Sequence, residues 1–201
     1  MASLAELCQR LKSPAAHPSL PRLIAMTDSE RSADPLAVIR GLPAGSAVIF
    51  RERDAQCRQD GARRLRPICR HKRILLLIAG DWRLARQLRC DGLHLSDAML
   101  RAGRRHWHRC RPSRWLVTTA AHSPASMRRA AVSGVDAVLL SPVFPTKSHP
   151  GAPPLGVLRF VRWTRSCPLP VFALGGVNED TARRLAASRA MGFAAISAFL
   201  P

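Results

Sequence analysis

Two short runs in this chain collect residue types that hold anions. The first is Ser141-Pro142-Val143-Phe144-Pro145-Thr146-Lys147-Ser148-His149, which follows the apolar stretch Ala137-Val138-Leu139-Leu140. Its two prolines hold φ near about −65°, so Thr146, Lys147, Ser148 and His149 present hydroxyls and cations in a restricted set of geometries on one tip. The second is Leu174-Gly175-Gly176-Val177-Asn178. Its glycines let backbone amides approach a ligand closely, and a helix starting near Asn178 adds its positive end. Phosphate suits such a pair of loops. Arg51 and Arg53, in the run Arg51-Glu52-Arg53-Asp54, supply further cations, and Ile196-Ser197 completes the set.

The elements that position these runs follow from hydrophobic patterning. Short apolar stretches rich in β-branched residues recur with amphipathic stretches between them, the rhythm of repeated βα units. Strands are expected over 23–27, 47–51, 74–78, 92–95, 115–119, 137–141, 171–174 and 193–197. Ser123 caps a helix that opens on Pro124 and ends at Gly134, and Asn178 caps one that opens on Glu179 and Asp180. The segment from Arg101 to Arg111 has poor apolar periodicity and reads as a short helix or a loop. Eight such strands predict a compact TIM-type (β/α)8 barrel of α/β class, in which every functional loop follows the C-terminal end of a strand. Ser3 to Lys12 is expected to form an extra N-terminal helix, with Leu4, Leu7 and Leu11 on one face, placed to close the bottom of the barrel. The chain stops at Pro201, leaving no length for a final helix, so that N-terminal helix or a second copy of the chain is expected to cover the outer face of the eighth strand.

At 201 residues the chain suits one domain spanning 1–201. Its formal charge of +19 is almost wholly arginine, the lysines being Lys12, Lys72 and Lys147. These cations recur along nearly every expected helix, and most of them read as a solvated shell and not as the one-faced, aromatic-interleaved surface of a nucleic-acid binder. The dense cluster Arg101, Arg104, Arg105, His106, Trp107, His108, Arg109, Arg111 and Arg114 keeps a nucleic-acid or acidic partner as a minor alternative. Cys8, Cys57, Cys69, Cys90, Cys110 and Cys167 contain no C-x-x-C pair and read as small buried hydrophobes. No apolar run approaches the length of a membrane span and no signal peptide is recognisable, so a cytoplasmic location is expected.

The motif set resembles that of the thiamine phosphate synthases and their TenI-type relatives. The family loop G-P-V/I-F/Y-P-T-x-x-K is matched by Ser141 to His149, and the I/L-G-G-I/V turn by Leu174 to Val177. Asp91-Gly92-Leu93-His94-Leu95 matches D-G-V-H-L, Arg51-Glu52-Arg53 matches R-E-K, and Ile196-Ser197-Ala198 matches the closing I-S-A. The similarity runs from about Leu23 to Leu200 and is strongest from Trp115 onward.

The resemblance implies a transferase that joins hydroxymethylpyrimidine diphosphate to a thiazole phosphate, releasing diphosphate and forming thiamine phosphate. It implies Arg51, Arg53, Lys147 and His149 as the diphosphate clamp, Thr146 and Ser148 as orienting groups, and Gly175, Gly176, Ile196 and Ser197 around the thiazole phosphate. It further implies magnesium, yet the family's two metal-ligand positions fall on Gly80 and Met99, with Asp81 and Asp97 as displaced substitutes. The family serine after the fifth strand aligns with Ala120, and the lysine ending the loop aligns with His149. An alternative reading is therefore a catalytically weak or silent TenI-like barrel that binds thiamine or thiazole phosphates. The tautomerase variant of that branch needs a histidine where this chain has Pro142.

Overall fold

The computed structural model describes residues 3–12, 20–28, 34–103, 106–146 and 151–196. The strands are β1 (Leu23–Met26), β2 (Ala47–Phe50), β3 (Leu75–Ala79), β4 (Gly92–Leu95), β5 (Leu116–Ala121), β6 (Ala137–Leu140), β7 (Val171–Ala173) and β8 (Gly192–Ala195). They pair in parallel and in chain order, and β8 returns to β1 through Ile24 opposite Ala194, so the sheet closes into a barrel. Between them lie α1 (Leu4–Gln9), α2 (Pro35–Gly41), α3 (Ala55–His71), α4 (Trp82–Gln87), α5 (Asp97–Arg101), α6 (His106–Arg109), α7 (Pro124–Ala131), α8 (Gly156–Ser166) and α9 (Glu179–Arg183).

Strands covered on both faces need apolar side chains at every position, which is why runs such as Leu-Ile-Ala-Met and Ala-Val-Leu-Leu form them. Alternation divides the two faces. Ile24, Met26, Ile49, Leu77, Leu139 and Phe172 fill the barrel interior, while Ala25, Val48, Leu76, Ile78 and Val138 pack outward under the helices. β5 runs two residues beyond its expected end, because Ala120 and Ala121 still pair with Leu139 and Leu140 of β6.

Ser123 and Asn178 cap α7 and α9 as expected, each closing a capping box with the third helical residue. α8 has no side-chain cap, since Leu155 stands at its N-cap, and for that reason it carries no local start signal. Within 101–111, α6 forms over His106–Arg109 and is pinned by buried Trp107. α1 forms as expected and packs against β1, β8 and α9. It is tied down where Arg22 Nη2 donates to the Cys8 carbonyl at 2.6 Å and the Cys8 thiol donates to the Arg22 carbonyl at 3.2 Å. The N-terminal helix thus supplies cover at the β8–β1 seam.

One expectation about side chains needs correction. Cys8, Cys69 and Cys90 are buried, and burial pushes their thiols up to about 11, 12 and 12, but Cys57 is exposed and Cys110 and Cys167 are half-buried. Two arginines stand apart from the solvated shell expected of most. Arg66 pairs with Asp91 at 3.1 Å and Arg111 with Asp136 at 2.6 Å, all four side chains being half-buried. Arg111 thereby leaves the basic cluster for a structural role. Among the described residues no helix is long and apolar enough to cross a membrane.

Candidate active site

Residues following the strand ends surround a cavity of about 1040 Å³. Six of the residues expected in the site line it: Arg51 and Arg53 after β2, Thr146 after β6, Gly175 and Gly176 after β7, and Ile196 after β8. Lys147, Ser148, His149 and Ser197 lie outside the described residues, as do Arg104 and Arg105 of the basic cluster.

The arginine-bearing loop is fixed from below and behind. The Arg51 N–H donates to the buried Thr27 hydroxyl at 3.0 Å, and its guanidinium stands 3.6 Å from the Asp28 carboxylate. Glu52 does not face the cavity as a free acid: its carboxylate accepts the backbone N–H groups of Arg53 at 2.7 Å and Asp54 at 3.3 Å. Arg58, one turn into α3, donates from Nη1 to the carbonyls of Glu52 at 3.0 Å and Arg53 at 3.2 Å.

The loops after β6 and β7 form one wall. Val143 N–H donates to the Leu174 carbonyl at 2.9 Å, and Phe144 N–H to the Gly175 carbonyl at 3.0 Å. Gly175 and Gly176 sit at φ +90° and +64°, and a Cβ on them would lie 2.8 Å from Pro142 Cα and 2.8 Å from Phe144 Cβ respectively. The glycines are therefore demanded by loop-to-loop packing as well as by any ligand. Ser141 to Phe144 are buried, so the first half of the run is wall and the exposed tip begins at Pro145. The Ser141–Pro142 peptide is cis. α9 spans five residues and engages the Asn178 and Thr181 N–H groups in its own capping box, so the glycine loop faces the cavity with little help from a helix end.

Two histidines that sequence reasoning did not single out also line the cavity. His94 stands on β4, buried, with Nδ1 2.9 Å from the Thr118 hydroxyl. Burial, with Arg51 adding to it, lowers His94 from its ordinary 6.5 to about 4, so the ring is neutral at physiological pH. The signal was present: two-residue alternation from Gly92 turns His94 to the barrel interior. His122, just past β5, has Nδ1 2.9 Å from the Ser141 carbonyl and 3.3 Å from its hydroxyl. A carbonyl only accepts, so Nδ1 carries the proton.

The donors present do not fit magnesium. Gly80 and Met99 line the cavity at the positions where the family resemblance calls for ligands, and neither offers a hard oxygen side chain. Neither proposed substitute lines this cavity. Asp81 caps α4 through the Leu84 N–H at 3.0 Å and faces Arg58 at 3.5 Å, beside a second cavity of about 450 Å³ that shares Gly80 and Met99 with the first. Asp97 opens α5 and is gripped by Arg129 at 3.0 Å, with Arg101 at 3.6 Å. Among the described residues no group of three or more His, Cys, Asp or Glu side chains is gathered as a metal site.

A family model described as thiamine monophosphate synthase matches residues 23–199. The chain is 34% identical over 164 residues to the thiamine-phosphate synthase of Methanocella arvoryzae, covering 77% of this chain and 74% of that protein. It is 27% identical over 182 residues to the thiamine-phosphate synthase of Bacillus velezensis, covering 86% and 80%. A solved structure of thiamine phosphate pyrophosphorylase from Pyrococcus furiosus has the same barrel fold, with a TM-score of 0.73 at 22% identity over 89% of this chain and 86% of that one. From its first strand to beyond its last, with its strand-end residues gathered on one cavity, this chain belongs to the thiamine monophosphate synthase family.

Proposed function

We propose that the chain condenses hydroxymethylpyrimidine diphosphate with a thiazole phosphate to give thiamine phosphate and diphosphate. The observation that carries this reading is the convergence of Arg51, Arg53, Thr146, Gly175, Gly176 and Ile196 on a single cavity at the strand ends. The reaction breaks the C–O bond between the pyrimidine methylene and the diphosphate, and the bonding pair leaves with the diphosphate oxygen. The lone pair of the thiazole nitrogen then forms the new C–N bond. Negative charge grows on the leaving group, and guanidinium groups fixed before the reaction stabilise it without reorganising. Thr27 and Arg58 provide that fixity through the backbone of Arg51, Glu52 and Arg53. In this reading Lys147 and His149 extend the diphosphate clamp, Thr146 and Ser148 orient it, and Gly175, Gly176, Ile196 and Ser197 take the thiazole phosphate.

The methylene that loses diphosphate becomes cationic, and its surroundings suit that charge. His94 is neutral and offers a hydrogen bond where an imidazolium would repel the forming cation. Apolar Met26, Leu174 and Ala195 in the cavity wall limit the water able to trap it.

Thiamine phosphate formation from the two substrates, read as thiochrome fluorescence, tests the reading. The unmodified chain is expected to turn over, and Arg53→Gln to lower kcat by about 100-fold or more. No product at any substrate concentration would overturn the assignment. Micromolar binding of thiamine phosphate without turnover would then identify a ligand-binding barrel.

A further inference from the structure

The loops after β3 and β4 meet at one spot in the cavity wall. A Cβ on Gly80 would lie 3.7 Å from Met99 Sδ, so side chains at positions 80 and 99 share one small volume. Two carboxylates placed there would converge on a divalent cation. This chain puts a hydrogen atom and a thioether there instead, and a soft neutral sulfur is a poor partner for a hard cation.

The nearby acids do not compensate. Asp81 is engaged by the Leu84 N–H and Arg58, and Asp97 by Arg129 and Arg101. Asp28 is the one carboxylate lining the cavity among the described residues, and it faces Arg51 at 3.6 Å. Two guanidinium groups thus stand against one carboxylate in the described wall, a balance that attracts an anion and repels a free divalent ion. Arg58 adds rigidity. Its side chain is 19% exposed, and it laces the loop after β2, through the carbonyls of Glu52 and Arg53, to Asp81 in the loop after β3.

We propose that this chain binds and neutralises diphosphate with Arg51 and Arg53, held in place by Arg58, and needs no divalent cation to do so. The proposal rests on the diphosphate-transfer reading above. Guanidinium forks match phosphate oxygens in pairs and hold their charge at any physiological pH, so they can supply the neutralisation that a bridging cation would otherwise give. Arg58 is a positioning residue in this scheme, since its guanidinium holds the backbone that carries Arg53.

Inorganic pyrophosphate, titrated into the full chain by calorimetry in EDTA and again in magnesium, tests the idea without turnover. Affinity no higher in magnesium than in EDTA is expected. An increase of about tenfold or more with magnesium, equal to about 1.4 kcal/mol, would overturn the metal-free clamp while leaving the diphosphate reading intact. Absence of binding in both buffers would overturn both. Manganese alone gives a second readout: its free six-line paramagnetic resonance signal is expected to keep its amplitude when the protein is added, and quenching by the unmodified chain would overturn the proposal.

Two variants complete the test. Arg58→Gln is expected to weaken pyrophosphate binding in EDTA by about tenfold, the scale of a lost charged hydrogen bond, with partial rescue by Arg58→Lys. Unchanged affinity in a folded Arg58→Gln protein would remove Arg58 from the scheme and overturn it. The double change Gly80→Asp with Met99→Asp is expected to create manganese binding and to make pyrophosphate affinity respond to magnesium. Aspartate is among the residues that tolerate the positive φ of position 80. Failure of that folded variant to bind manganese would overturn the assignment of positions 80 and 99 as the vacated cation position.

Discussion

His94 ties the chemistry of the cavity to the stability of the barrel. Its native ring resists protonation down to about 4, whereas the unfolded chain takes up that proton near the ordinary 6.5. Between those values the unfolded state binds more protons, so stability falls as pH drops through the window and is fully retained above it. Thermal melts across this range should show that slope, and His94→Gln should remove its share of it. Thr27 makes a different demand. Thr27→Val would leave the Arg51 N–H without its buried partner, at a cost of about 1–3 kcal/mol in urea unfolding and with a raised KM for the diphosphate substrate. Arg51 and Arg53 were legible in the sequence because cations directly after a barrel strand have one place to go. His122 was not, because its partner Ser141 lies in the loop after a different strand and no local pattern joins them.

A repeated device at the element scale explains where several arginines go. Asp91, immediately before β4, accepts the Leu76 N–H of β3 at 2.9 Å and pairs with Arg66. Asp136, immediately before β6, accepts the Val117 N–H of β5 at 2.7 Å and pairs with Arg111. Each aspartate thus pins one strand to its neighbour and to a cation. Asp136→Ala should destabilise by about 2–3 kcal/mol in denaturant titration, because it orphans both the N–H and the guanidinium. The loop wall has its own sensitive point. Gly176→Ala drives a methyl group into Phe144 at a positive φ, so it should cost more than about 1 kcal/mol and lower activity with the barrel still folded by circular dichroism. The strands were readable because a doubly covered parallel strand is a continuous apolar run, and α7 and α9 because Ser123 and Asn178 mark their starts. α8 was not, since its start depends on tertiary packing and on no capping side chain. The burial of Ser141 to Phe144 was equally hidden, because it is created by the glycine loop from another strand.

For the whole molecule, a formal charge of +19 makes self-repulsion a standing cost of the compact state. Raising potassium chloride from about 10 mM to about 200 mM should therefore raise Tm, since screening acts more on exposed arginines than on the half-buried Arg–Asp pairs. A Tm that falls over this range, measured by calorimetry, would mean that the ion pairs dominate. Barrel closure was legible from eight recurrences of the strand pattern, although what holds the seam was open between two candidates. α1 occupies that place, with Leu4 and Leu7 on it and Leu11 just beyond it buried, and it packs against β1, β8 and α9. This seat has a consequence for synthesis on the ribosome. α1 precedes all the described strands, yet α9 and β8 are the last described elements to emerge, so only the β1 side of its berth exists while the rest of the sheet is made. The earliest described helix completes its docking only with the latest described strand, and nascent chains halted short of β8 should leave α1 open to protease.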